Sequence, residues 1–120
     1  MPHPRGFILS AKVFFLNFSI YILASLFFPN IAYADLDAGK AKAQTVCQTC
    51  HGMNGIATEA MVPNLAGQPK EYLIIQLKDY RSGKRKHERM GIIAGMLTNE
   101  DINNLAAWFS AIKVSVQLPQ

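Results

Sequence analysis

Apolar residues run almost unbroken from Val13 to Phe28, interrupted by Asn17, Ser19 and Ser25, and the chain thereafter breaks into shorter patterned stretches. Asp37 to Cys50 is rich in Ala and Lys, with Val46 as its clearest apolar anchor, which predicts a first helix. Gly39 is out of place there, since Gly inside a helix costs about 1 kcal/mol relative to Ala. Gly52 to Gly67 holds Gly52, Asn54, Gly55, Pro63, Asn64 and Gly67 with no sustained period, so it predicts a loop. Pro69 suits the N1 position of a second helix over about 71–81, where Tyr72, Leu73, Ile75, Gln76, Leu77 and Tyr80 form a stripe expected in the core. Ser82-Gly83 ends it, and the segment up to Leu97 is read as irregular.

Thr98-Asn99-Glu100-Asp101 has the form of a capping box, and a third helix follows through Lys113. Ile102, Leu105, Phe109 and Ile112 share one face of it, with Trp108 beside them. No strand signal of useful length appears. The pattern therefore predicts an all-α domain with three principal helices and long connections.

Residues 1–34 stand apart. Arg5 and Lys12 precede the apolar run, Pro29 breaks it, and Ala32-Tyr33-Ala34 is an A-x-A cleavage signature. The expectation is a signal peptide cut between Ala34 and Asp35, with export to the periplasm and no stable membrane insertion. The alternative is an uncleaved anchor over residues 13–28. The functional domain is then 35–120, small enough that a bare core is marginal.

Net charge changes little in this picture. The 120-residue chain carries a formal +4, but Arg5 and Lys12 belong to the leader, so the mature domain is only mildly basic and gives no reason to invoke nucleic acid. Arg81, Lys84, Arg85, Lys86 and Arg89 crowd one segment. They are either a solvated face or a patch that steers an acidic redox partner.

The decisive chemistry is Cys47-Gln48-Thr49-Cys50-His51, since C-x-x-C-H is the attachment run for a c-type haem. The two thiols, held along one edge by a helical turn, would add across the haem vinyl groups as thioethers, and the imidazole would fill one axial position on iron. A zinc site would need four ligands, and only His3 and His87 remain as other histidines, without finger-like spacing. A thioredoxin-type pair would need a βαβ setting that is absent, and a disulfide would leave His51 without a role. The apoprotein should be poorly folded, because haem would form a large part of so small a core.

A Met sulfur commonly fills the other axial position. Met53 follows His51 too closely to reach the opposite face, and Met61 lies on the loop expected to cover the His side. Met90 and Met96 remain.

Cys47 to Gly52, Pro63-Asn64-Leu65-Ala66-Gly67-Gln68, the helix around Tyr72 and Leu77, and Leu105-Ala106-Ala107-Trp108-Phe109-Ser110 together resemble the class I c-type cytochromes, specifically the small bacterial group of cytochromes c4, c5 and c-553. The resemblance implies a cytochrome c fold wrapped around one covalently bound haem c. It assigns Met90, ahead of Ile93-Ala94, as the axial ligand, with Met96 as the alternative. It makes the Pro63 carbonyl the hydrogen-bond acceptor for His51, and Gly39 the point where the first helix crosses the last near Trp108. Cytochromes c4 carry two such domains, whereas one C-x-x-C-H run here suggests a monohaem unit.

With both axial positions filled, the iron has no open site for substrate, so the expectation is a monomeric electron carrier and not an enzyme. A gas sensor or peroxidase would need the Met absent or easily displaced. The second reading is the cytochrome subunit of a periplasmic dehydrogenase such as a flavocytochrome c sulfide dehydrogenase, whose Met-Gly-x-Ile-Ala segment resembles Met90 to Ala94.

Overall fold

The computed structural model describes residues 34–120. The leader expected over 1–34, and its alternative as an anchor over 13–28, lie outside the described residues apart from Ala34 itself. Among the described residues no helix is long and apolar enough to cross a membrane.

Five helical segments follow one another without a strand among the described residues: α1 (Leu36–Val46), α2 (Gln48–His51), α3 (Lys70–Ser82), α4 (Glu88–Gly95) and α5 (Asn99–Ala111). Asp35 caps α1, its side chain accepting the Asp37 and Ala38 N–H groups at 2.9 and 3.1 Å. The first helix does not run unbroken to Cys50 as its composition suggested. It ends at Val46, and Cys47 turns the backbone before the short α2. The buried residues of α1 are Gly39 and Ala43, while Val46 is only partly covered.

Those small residues let α1 lie directly on α5, the most extensive helix pairing in the domain. A Cβ on Gly39 would sit 2.2 Å from the Asn104 carbonyl oxygen and 3.0 Å from Trp108 Cβ. Gly39 is thus the crossing point, as the resemblance implied. The Asp35 N–H donates to the buried Asn104 side chain at 2.8 Å and fastens the start of α1 to α5.

Pro69 precedes α3 as its N-cap, one position earlier than the N1 site expected for it, and Gly83 closes the helix with φ 78°. The stripe on α3 is only partly core. Leu73 is buried, Leu77 and Ile74 pack against the core, and Tyr72 and Ile75 are exposed. The segment expected to be irregular contains α4, which begins when the His87 side chain accepts the Met90 N–H and which packs on α3. Its short length and Gly91 and Gly95 gave little periodicity to recognise.

The capping box of α5 is present. Thr98 Oγ1 accepts the Asp101 N–H at 3.0 Å, and Asp101 Oδ2 accepts the Thr98 N–H at 2.9 Å. The helix ends at Ala111, two residues short of Lys113. Ile102, Leu105, Ala106 and Phe109 join Ala43, Leu73 and Leu97 in the core, with Trp108 and Ile112 packed against it. The loop from Gly52 to Pro69 is tied to this frame where the Gly67 N–H donates to the Phe109 carbonyl at 2.9 Å.

Candidate haem-attachment site

The break at Cys47 builds the site. Its carbonyl accepts from both Cys50 N–H (3.3 Å) and His51 N–H (3.0 Å), so the chain restarts as one tight turn carrying both cysteines and the histidine. Gly52 then turns sharply at φ 73°, and a Cβ there would lie 2.1 Å from the Ile56 carbonyl oxygen. No larger residue fits that close return of the loop.

Cys47 and Cys50 are free thiols in different settings. Cys47 packs against the core, and burial pushes its pKa up to about 12, so it stays protonated at neutral pH. Cys50 is also raised, first by its hydrogen bond with Glu59. Neither is the low-pKa thiol of a redox-active pair.

His51 is 7% exposed, and its Nδ1 lies 2.9 Å from the Pro63 carbonyl oxygen. A carbonyl only accepts, so Nδ1 carries the proton and Nε2 keeps its lone pair for a metal. Among the described residues no group of His, Cys, Asp and Glu side chains is gathered in the manner of a closed metal site.

The donor set fits haem c: two thiols and one imidazole within a single turn, the imidazole locked in the metal-binding tautomer. Apolar side chains also remain uncovered on the domain, Tyr72 and Ile75 on α3 and Ile92 on α4.

The four remaining methionines of the domain differ sharply. Met61 is fully exposed and has φ 67°, a strained value for a side-chain-bearing residue. Met53 lies just beyond the attachment turn, and Met96 sits at the C-terminus of α4, 62% exposed. Met90 is half-buried in the first turn of α4.

Most of the basic segment is already engaged. Arg81 donates to the Leu97 carbonyl at 3.0 Å and to Asn99 Oδ1 at 2.6 Å. Lys84 pairs with Asp79 at 3.3 Å, Arg85 stacks on Tyr80 and bonds Gln76, and Arg89 pairs with Glu59 at 3.1 Å. Lys86 is the one member with no such partner among the described residues.

Glu59 and Thr58 escaped the sequence reading. Thr58 Oγ1 donates to the Thr49 carbonyl at 2.9 Å and its N–H to the Cys50 carbonyl at 3.0 Å, which stitches the loop onto α2. A threonine and a glutamate in an aperiodic loop carry no local signal of this.

The cytochrome c family model matches residues 36–113. A cytochrome c4 of Pseudomonas aeruginosa is 37% identical over 99 residues, covering 81% of this chain, which spans about half (49%) of that protein's length. Cytochrome c-554(548) of Halomonas halodenitrificans is 39% identical over 80 residues, 64% of this chain and 95% of its own. Among solved structures, the thiosulfate dehydrogenase of Marichromatium purpuratum aligns with a TM-score of 0.61 and 37% identity, over 69% of this chain and 20% of that one.

Proposed function

This chain belongs to the cytochrome c family, and on that premise we propose that it is a periplasmic electron carrier holding one haem c through Cys47 and Cys50, with His51 and Met90 as the axial ligands. When bound, the haem supplies a one-electron iron couple. The observation that carries the reading is the contact between His51 Nδ1 and the Pro63 carbonyl, in the same turn as both thiols. It orients the ring, fixes the tautomer and makes Nε2 a stronger donor.

With His51 and Met90 both holding the iron, no site would be left for a substrate, so the reading is a carrier and not a catalyst. Export through residues 1–34 would deliver the thiols to the compartment where such proteins work. Redox proteins with acidic surfaces are the proposed partners, met by the basic segment in a short-lived encounter.

A second reading, the cytochrome subunit of a dehydrogenase complex, draws support from the likeness to a chain of thiosulfate dehydrogenase. Native size-exclusion separates the two, with a monomer expected for the carrier and a stable heterocomplex for the subunit.

The test of the site is the visible spectrum of the haem-loaded protein. Met90→Ala should abolish the iron–sulfur charge-transfer band and open the iron to rapid CO binding when reduced, whereas Met96→Ala should keep the band. The opposite outcome would move the ligand to Met96.

A further inference from the structure

Glu59 stands in the loop between α2 and α3, and Arg89 in the first turn of α4. Thirty residues apart in sequence, they meet with Arg89 Nη1 3.1 Å from Glu59 Oε2. The same nitrogen lies 3.7 Å from Cys50 Sγ, so the pair closes over the outer of the two thiols.

The two ends of this contact are held very differently. Glu59 is presented by a stretch fixed to α2 through the Thr58 bonds to the Thr49 and Cys50 carbonyls, and the same loop supplies Pro63 to His51. Arg89 rides on α4, whose extensive helix packing is against α3. Among the described residues, Arg89 makes the only hydrogen bonds or ion pair between segment 84–97 and residues 34–69. The histidine side of the site and the methionine side are thus joined by one polar link. Met90 is the next residue after it.

We propose that the Glu59–Arg89 ion pair is a strap that holds α4 closed beside Cys50, making Glu59 and Arg89 positioning residues for the sixth ligand. The proposal rests on the assignment of Met90 as that ligand. Neither side chain touches the iron. Breaking the strap leaves α4 packed on α3 but lets its first turn move away from the Cys50 edge, which raises the fraction of time that Met90 is off. Both side chains are substantially exposed, at 60% and 41%, so the effect is bounded at about fivefold.

The experiment follows displacement of the Met ligand by imidazole in the ferric, haem-loaded full chain. Glu59→Gln and Arg89→Gln should each speed imidazole binding about two- to fivefold, and the double variant should be no faster than either alone. Added salt should speed the native protein toward the variants and leave the variants nearly unchanged. The reversed pair, Glu59→Arg with Arg89→Glu, should bring the rate back toward native. Unchanged rates, or single effects that multiply in the double variant, would overturn the strap. An iron–sulfur band that is missing from the native protein would instead overturn the Met90 assignment. Retention of that band with unaltered imidazole rates removes the strap alone.

Discussion

A single methyl group at Gly39 would put carbon 2.2 Å from a backbone oxygen of the neighbouring helix. Two effects then oppose each other. Ala in place of Gly favours helix by up to about 1 kcal/mol, but a backbone oxygen cannot rotate aside as a side chain can, so α1 and α5 must separate. The steric term wins. Gly39→Ala is expected to lower stability by about 2 kcal/mol, measured by urea unfolding of the haem-loaded protein with an unchanged m-value. A stabilised variant would mean that the crossing has slack. His51 shows the same dependence on one atom, because the proton on Nδ1 is placed by Pro63 and the availability of Nε2 follows from it.

Each helix is delimited by local chemistry, and α5 shows how that chemistry couples to pH. The Thr98 backbone N–H, bonded to the Asp101 carboxylate, is the main cause of that group's lowered pKa, helped by Lys42 at 3.0 Å and the Thr98 hydroxyl, while partial burial works against them. A carboxyl whose pKa is lower folded than unfolded stabilises the fold above its ordinary value, here 3.8, and that contribution disappears as pH falls through the lower folded value. Asp101→Asn should therefore flatten the acid side of a melting-temperature profile while changing its alkaline side little. Thr98→Ala should cost about 1 kcal/mol at neutral pH by removing the cap. Thermal melts across the acid range check both, and an Asp101→Asn profile as steep as native would show that other carboxylates govern acid unfolding. The capping box was legible because its partners are three residues apart. Helix α4 was not, although His87 and Met90 are also three residues apart, since His is not among the preferred N-cap residues and the helix's one fully buried apolar residue is Ala94.

At the scale of the whole domain, the protein core is small, and exposed apolar side chains remain on α3 and α4. A covalently held haem would complete that core in the folded state while offering no matching stabilisation to the unfolded chain. Replacing both attachment residues, Cys47→Ala with Cys50→Ala, should lower the melting temperature by about 10–20 °C, on the order of 3 kcal/mol for a domain of this size. Circular dichroism in the near and far ultraviolet would follow it. Equal melting temperatures would show that the polypeptide core suffices by itself. The contacts of the basic segment bear on the same scale, because those of Arg81, Lys84 and Arg85 tie α3 to its surroundings, while the Asp79 and Glu59 carboxylates offset the charges of Lys84 and Arg89.

What the amino-acid sequence determined by itself was whatever its neighbours in the chain could express. The attachment run Cys47 to His51, the caps at Thr98 and Gly83, the aperiodic loop after Gly52 and the all-α class all depend on residues a few positions apart. The His51–Pro63 contact and the Gly39 crossing entered the sequence reading only through family resemblance, because each joins residues that the loops must first bring together. Tertiary structure alone decided that α4 packs on α3, that Ala43 joins Gly39 in the burial of α1, and that Glu59 meets Arg89. The physical reasons are two. Close packing through small residues leaves no hydrophobic period to read, and an ion pair across thirty residues exists only once the chain has closed on itself.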